Sequence, residues 1–214
     1  MIDINMKLQI TAAKAQNKTI DLELRKMEAE EAIEHLNIVQ LFLPDSFRSD
    51  RESIAALLRF KRVAFKAGLL QGFVKDRLAT QTQTGNLGHD EDQALAACDM
   101  CDKLAWVSAM CERFVACISS CSVDQFSKFQ NAMYELDPVE RALNGWIDGL
   151  RRAELNEKQC VAELQRTMAL MSHLGELHLK TDLEGFASDI RMRVLMMQSH
   201  MESAATSQVL WSTK

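Results

Sequence analysis

The first 43 residues repeat an apolar position every seven residues and contain neither proline nor glycine. That spacing is typical of one column of a coiled coil, which needs a second apolar column to complete its interface. The second column is polar in its middle, at Thr11, Lys18 and Arg25. The pattern therefore predicts a long helix, either a coiled coil or a surface helix with one apolar stripe. The apolar column consists of Met1, Leu8, Ala15, Leu22, Ala29, Leu36 and Leu43.

Pro44 predicts the end of this helix, because a proline disfavours the helical conformation of the residue before it. The next helix is expected over about residues 50–79, after candidate capping residues that include Asp45 and Asp50. Residues 80–93 are rich in Thr, Gln, Gly and Asp and show no apolar period, which predicts a mobile loop. The face of the second helix that we expect toward the core carries Ile54, Leu57, Leu58, Phe65, Leu69 and Phe73.

Three-four spacing of apolar residues continues through the rest of the chain and predicts further helices. One is expected over 92–121, two shorter ones over 123–135 and 138–152, one from the cap Asn156 to about 173, and one over 180–211. Pro138 suits a first helical position. The inward residues expected in the first of these are Ala97, Cys101, Leu104, Ser108, Cys111, Val115 and Ile118. Those expected in the last are Leu183, Phe186, Ile190, Val194, Met197 and Met201.

The predicted elements divide the chain into five parts. Residues 1–43 form the end of a coiled coil that docks into a folded body, and 44–79 form its helical hairpin partner. The loop occupies 80–93, a helical bundle occupies 94–179, and 180–214 form a C-terminal helix that leads toward a further coiled coil. The residues expected in the core are Leu36, Leu43, Leu57, Phe65 and Leu104.

Composition agrees with a helical fold. The chain has only two prolines and eight glycines in 214 residues, and strong helix formers dominate. We therefore predict an all-α fold, a bundle of about six to seven helices whose terminal helices continue into coiled coils.

Charge and cysteine content narrow the class of protein. A net charge of −5 argues against a nucleic-acid partner, since such proteins carry a basic excess. No apolar run reaches the 18 residues of a membrane span, and the N-terminus lacks the regions of a signal peptide. Six cysteines in this setting predict free thiols in a reducing compartment, and hence a cytoplasmic protein.

Motifs for catalysis and metal binding are weak. Cys98 and Cys101 form a CxxC pair, but a zinc site needs two further ligands, and packing thiols are the better interpretation. No histidine follows a glutamate at the spacing of di-iron helices, and the common phosphate-binding and metalloprotease motifs do not occur. We expect no enzyme, no cofactor and no metal site.

The outer face of the second helix is the candidate protein-binding site. Arg59, Lys61, Arg62 and Lys66 lie there with few acidic neighbours. They could bind an acidic partner, or they could pair within the domain with the acidic segment 18–35, and both alternatives stay open. A methionine cluster is either core filling or an adaptable binding groove: Met168, Met171, Met192, Met196, Met197 and Met201.

Two sequence stretches carry a resemblance to a known family. Residues 18–47 contain KTIDLELRKME and LPDSF, and a looser match returns in QNAMYEL at 130–136, in Glu140-Arg141 and in Leu155-Asn156-Glu157. With these stretches the chain resembles the dynactin large-subunit family, at the folded intercoiled domain between its two coiled coils. The plain, short loop suggests a member from a fungus or another lower eukaryote.

The resemblance implies a function but no catalytic residues. It implies a non-catalytic interaction and spacer domain that supports dynein-driven transport along microtubules, in the cytoplasm and associated with the cytoskeleton. The implied partners are other dynactin subunits, dynein and cargo adaptors, with a possible homodimer through the flanking coiled coils. The alternative is a coiled-coil-linked adaptor of vesicle tethering or trafficking that is unrelated to dynein.

Overall fold

The computed structural model describes residues 2–83, 91–179 and 183–212, and all regular structure within these ranges is helical. The all-α prediction is confirmed, with six long helices and two single turns. The α-helices are α1 (Ile2–Gln40), α2 (Arg48–Gln83), α3 (Glu91–Ser120), α4 (Val123–Phe126), α5 (Ala132–Glu135), α6 (Asp137–Arg151), α7 (Glu157–His178) and α8 (Leu183–Ser212), and 3-10 helices occupy Asp45–Phe47 and Ser127–Gln130. The chain forms two compact units, Met1–Phe47 and Arg48–Lys214.

The first unit is α1 and the turn that ends it. The helix tightens beyond Gln40, where Leu41 N donates to Ile38 O at 3.1 Å and Phe42 N donates to Val39 O at 3.0 Å. Pro44 follows in the turn, as predicted. The apolar side chains described on α1 are exposed. Leu36 on α1 and Leu43 in the turn after it are both exposed, so the expectation that they are core residues is wrong, while the docking of this helix stays a prediction.

The core of the second unit forms where α2 packs on α3. The rings of Phe60 on α2 and Phe114 on α3 stack with centroids 4.4 Å apart. The buried face of α2 is not the predicted one, because this helix carries two apolar stripes on different sides. The buried stripe includes two alanines, which allow close approach of the backbones: Ala56, Phe60, Val63, Ala67, Leu70 and Val74.

The stripe that we expected in the core lies on the outside of α2. Phe65 is 70% exposed, and Ile54, Leu58, Leu69 and Phe73 are exposed as well, which corrects the prediction for all five. Leu57, between the two stripes, is half-buried and packs against the core.

Helix α3 follows its prediction closely and forms the centre of the unit. Leu104 has no exposed surface, and Ala97, Cys101, Cys111 and Ile118 are buried. Ser108, at a polar position of the same stripe, is satisfied because its Oγ donates to Ala64 O at 3.2 Å. Helices α2, α7 and α8 all pack on α3.

The shorter elements show what local signals can and cannot predict. Asn156 caps α7 as expected, since its Oδ1 accepts from Gln159 N at 3.1 Å. Pro138 lies in the first turn of α6, also as expected. The single helix predicted over 123–135 is instead broken into α4, a 3-10 helix and α5. Of the predicted loop 80–93, residues up to Gln83 continue α2, α3 begins at Glu91, and residues 84–90 lie outside the described part.

Helix α8 has the predicted length, but the face that we expected to be buried is exposed and the opposite face packs on α3. Its inner face toward α3 is mainly small and polar, with Ser188, Asp189, Met192, Met196, Ser199, Ser203 and Ser207. Its apolar stripe, predicted to be inward, is exposed: Leu183, Phe186, Ile190, Val194, Met197 and Met201. These six residues are called the outer stripe of α8 below.

Candidate protein-binding surfaces

Three of the four predicted site residues converge on one carboxylate of α6. Glu140 Oε1 accepts from Arg62 Nε at 3.0 Å and from Lys66 Nζ at 2.7 Å. Arg59 Nε lies 3.0 Å from Glu140 Oε2, and its Nη2 lies 3.4 Å from Asp137 Oδ1. We call Arg59, Arg62, Lys66 and Glu140 the Glu140 cluster.

The electrostatics of this cluster stabilise the charged form of the acid. Glu140 is buried. The hydrogen bonds from Arg62 and, next, from Lys66 outweigh this burial and lower the pKa of the carboxyl group to about 2. The cluster therefore fixes α6 to α2 through a permanent negative charge surrounded by three cations.

Lys61 is the fourth predicted residue, and the structure does not bring it to the cluster. It is exposed, and no ion pair involves it within the described ranges. Arg62 contacts Glu140 like Arg59 and Lys66, but 49% of its side chain is exposed to solvent. The accessible part of the predicted basic site is thus Lys61 and the outer edge of Arg62. Pairing of this face with residues 18–35 stays a prediction.

The outer apolar stripe of α2 leads into a groove that it forms with α6. The groove has a volume of about 710 Å³. Leu69 and Phe73 of α2 line one wall, and Ile147 and Leu150 of α6 line the other. This feature is called the α2/α6 groove. It was missed in the sequence because its α2 residues were assigned to the core.

Helix α8 binds α3 through a half-buried acid, Asp102 of α3. Asp102 Oδ1 accepts from Ser199 Oγ at 2.6 Å and from Ser203 Oγ at 2.9 Å, while its Oδ2 lies 2.9 Å from His200 Nδ1. We call these four residues the polar seat of α8. Two ion pairs flank it, from Arg113 to Asp189 at 3.1 Å and from Lys75 to Glu202 at 2.5 Å.

The cysteines lie where a packing role is expected. Cys98, Cys101, Cys111 and Cys160 are buried, whereas Cys117 and Cys121 are half-buried. Burial raises the pKa of Cys101 and that of Cys160 to about 12, so these thiols stay protonated. In residues 2–83, 91–179 and 183–212 no three potential metal-ligating side chains of His, Cys, Asp or Glu come together.

The sequence indicated that the basic residues of the Glu140 cluster need an acidic partner, but our prediction did not use this indication. Arg59, Arg62 and Lys66 are spaced at three and four residues, which places them on one face of a helix. Such a concentration of charge next to a packed helix requires an acidic partner. Glu140, in the first turn of α6, was available as that partner. The polar seat had no comparable signal, because serines at helical spacing are ordinary surface residues.

None of the helices in the described ranges has the length and apolar character needed to cross a bilayer.

Comparison with known proteins identifies the same family from a family model and from individual relatives. Residues 1–213 match the family model described as "Dynactin: Dynein associated protein". The chain is similar to "Dynactin subunit 1" of Xenopus laevis and of Gallus gallus, with 26% and 25% identity, covering 92% of this chain and 17% of each relative. The protein of the same name from Drosophila melanogaster is 23% identical over 82% of this chain and 14% of the relative. The chain thus spans less than a fifth of the length of these relatives.

Proposed function

This chain belongs to the dynactin, dynein-associated protein family, and on that premise we propose that it is a non-catalytic interaction and spacer domain that supports dynein-driven transport along microtubules. The observation that carries the proposal is the family match over residues 1–213. Its proposed partners are other dynactin subunits, dynein and cargo adaptors, and its proposed location is the cytoplasm, in association with the cytoskeleton.

The spacer role is supported by the geometry of α1. A helix of 39 residues extends over about 58 Å at a rise of about 1.5 Å per residue. Ile20, Met27, Ile33 and Leu36 are all about half exposed along it. A helix with such apolar side chains is stabilised when a second helix covers them. We propose that α1 pairs in a coiled coil, which would place two copies of the domain side by side.

The interaction role is supported by the accessible charge and apolar surface of the second unit. Lys61 and the edge of Arg62 present positive charge beside the exposed side chains of Leu58 and Phe65. The outer stripe of α8 adds a second exposed apolar surface. We propose that Lys61 and Arg62 contact a partner directly, whereas Arg59 and Lys66 support the surface through Glu140.

Crosslinking mass spectrometry on the native complex tests the function. Crosslinks from Lys61 to dynein, dynactin or adaptor subunits are the expected result. Recovery of membrane-tethering factors alone, with no motor subunit, would overturn the proposal and favour the alternative of a vesicle-tethering adaptor.

A matched pair of charge reversals tests the surface. Lys61→Glu should reduce the recovery of partner subunits, while Lys128→Glu should leave it unchanged. Lys128 is a suitable control because it is also exposed and makes no ion pair in the described part of the chain. Equal recovery with both variants would remove Lys61 from the site.

A further inference from the structure

Several large apolar side chains lie on the side of α2 that faces away from α3. Leu58, Phe65 and Leu69 are 46%, 70% and 40% exposed. Residues spaced by three, four and seven positions share one side of a helix, so these side chains form a single line with their exposed neighbours. We call it the outer line of α2: Leu58, Lys61, Phe65, Leu69, Gly72 and Asp76. An apolar helix face of this kind is stabilised when another helix covers it.

The two charges on the outer line indicate which helix covers it. Lys61 and Asp76 are exposed, and neither side chain has an ion pair within the described ranges. They lie about 22 Å apart along the helix axis, and the point midway between them falls between Gly68 and Leu69. If a second copy of α2 lies antiparallel across this point, Lys61 of each copy meets Asp76 of the other. In a parallel pair in register each charge would meet its like, so the charges favour the antiparallel copy.

The shape of the outer line agrees with the same register. The antiparallel arrangement also places Phe65 of each copy over Gly72 of the other, and the two copies of Leu69 beside each other. Phe65 is the most exposed large apolar side chain of α2. A Cβ atom at Gly68 or Gly72 would meet nothing within 4 Å, so packing inside the described part of the chain does not require either glycine. Glycine inside a helix costs about 0.5–1 kcal/mol relative to alanine, and close approach by a second helix accounts for its presence.

We propose that the outer line of α2 binds the outer line of a second copy of this chain, antiparallel about a two-fold axis beside Leu69. Such a contact is isologous, so the ion pair between Lys61 and Asp76 and the packing of Phe65 on Gly72 each occur twice. A single pair of helices buries less than the roughly 800 Å² per partner of a typical stable interface, so the contact is weak alone. The pairing of α1 proposed above would raise the effective concentration of the two faces to roughly the millimolar range.

This inference goes beyond the proposed function, because it describes a contact between copies and not one with motor or adaptor subunits. Its strength, though not its geometry, rests on the proposed pairing of α1. Lys61 takes part in both proposals, so a contact between copies would cover it and compete with a partner for it. The two contacts are therefore alternatives at this residue, and separate variants test each of them.

Cysteine crosslinking of the 214-residue chain tests the contact and its direction. Leu69→Cys places a thiol beside the two-fold axis and should give a disulfide-linked dimer under a mild oxidant. Ala79→Cys should not, because the two copies of residue 79 would lie about 30 Å apart. The unchanged chain controls for its own cysteines, which are buried or half-buried. No dimer from Leu69→Cys, or an equally abundant dimer from Ala79→Cys, would overturn the proposal.

A pair of substitutions in one chain tests the register. A chain with both Lys61→Cys and Asp76→Cys should form linked dimers, whereas each single variant should not. The two positions are about 22 Å apart on one helix, so no disulfide can join them within one chain. Dimers from Lys61→Cys alone would indicate parallel helices, and no dimer from the double variant would show that the two charges do not meet. Either result would overturn the proposal.

Exchange of the charges tests the ion pairs, with the crosslinking rate of Leu69→Cys as the readout. Lys61→Glu or Asp76→Lys, added to this chain, should slow the crosslinking several-fold, because two like-charged pairs replace two pairs of opposite charge. The two exchanges together should restore the original rate. A combined variant that is as slow as either single exchange would contradict the contact.

A larger side chain at Gly72 tests the packing. Gly72→Leu should slow the same crosslinking by about tenfold or more, since the new side chain occupies the space of Phe65 from the second copy. Gly145→Leu on α6 is the matched control, because that glycine is also exposed and a Cβ there also meets nothing within 4 Å. Neither change should lower the melting temperature, because leucine favours a helix over glycine. Equal crosslinking rates for the two variants would remove the packing of Phe65 on Gly72 and, with it, the proposal.

Recovery of motor subunits separates this inference from the proposed function. Asp76→Lys should break the contact between copies without lowering the recovery, and adding Lys61→Glu should restore the contact and lower the recovery. Loss of recovery with Asp76→Lys alone would assign the outer line to a partner protein and overturn the second copy. Recovery of motor subunits without crosslinking of Leu69→Cys would overturn this inference and leave the proposed function intact. Linked dimers without any motor subunit would have the reverse meaning.

Discussion

Helices α3 and α8 are both 30 residues long and pack on each other, yet they are attached to the molecule in opposite ways. Helix α3 buries an apolar stripe that includes Leu104 and Phe114, and its side toward α8 carries the partly covered charges of Asp102 and Arg113. Helix α8 turns serines and an aspartate toward α3 and exposes its apolar stripe. The comparison teaches that apolar periodicity identifies a helix but does not decide which of its faces the domain buries.

The largest effect expected from this comparison is the loss of a buried leucine. Leu104→Ala in α3 should lower the free energy of unfolding by about 2–5 kcal/mol, because the side chain is fully buried and leaves a cavity. Leu183→Ala in α8 removes the same atoms from a residue that is 84% exposed and should cost less than about 0.5 kcal/mol. Chemical denaturation of both variants measures the difference, and equal losses would end the contrast between the two helices.

The Glu140 cluster shows how strongly a polar contact can hold a helix when it is shielded from water. Glu140→Gln should cost about 2–3 kcal/mol at neutral pH, since Arg62 and Lys66 lose their charged partner and Arg59 keeps only Asp137. The lowered pKa of Glu140 means that its contribution is complete above about pH 4.5 and disappears as the pH falls toward 2. Denaturation midpoints across this range should fall more steeply for the original chain than for the variant. Parallel curves would show that the cluster contributes nothing.

The polar seat of α8 should give a smaller and more local effect. Asp102→Asn keeps the shape of the side chain but removes the charge that accepts from Ser199 and Ser203, at an expected cost of about 1–2 kcal/mol. Hydrogen exchange should accelerate in α8 and stay slow around Leu104 of α3. Acceleration in both helices would mean that they open as one cooperative unit.

The smallest effect belongs to the exposed ion pair between α2 and α8. Lys75 and Glu202 lie 2.5 Å apart, but both are more than a third exposed, and such pairs contribute less than about 1 kcal/mol. A double-mutant cycle with Lys75→Met and Glu202→Gln should give a coupling of that size, which decreases in high salt. A larger coupling energy that does not decrease in high salt would show that this pair is shielded from water, as the Glu140 cluster is.

Local signals in the sequence predicted the helices and their ends. Pro44, Pro138 and Asn156 act through their own backbone or a neighbouring amide, so their effect does not depend on the rest of the fold. The stripe of α3 was predicted because that helix has only one dominant apolar side. The single helix expected over 123–135 failed because no local rule indicated the break near Asn131.

The faces of α2 and α8 could not be predicted in the same way. Helix α2 has one stripe with Phe60 and Val63 and another with Phe65 and Leu69, and hydrophobicity alone favours neither. The choice depends on which side lets α3 approach, and this is a property of two helices together. The candidate site depends on the same choice, since the α2/α6 groove exists only because the second stripe stays outside.

The polar attachment of α8 has a consequence for the response of the molecule to temperature. The heat-capacity change of unfolding comes mainly from apolar surface that becomes exposed to water. Release of α8 would uncover Met192 and smaller side chains such as Ala109, whereas separation of α2 from α3 would uncover Phe60, Phe114 and Leu104. In a calorimeter the detachment of α8 would therefore change the heat capacity less than the separation of α2 from α3. Cooling weakens hydrophobic stabilisation of the core, but it should weaken the contact of α8 less, because that contact depends largely on hydrogen bonds.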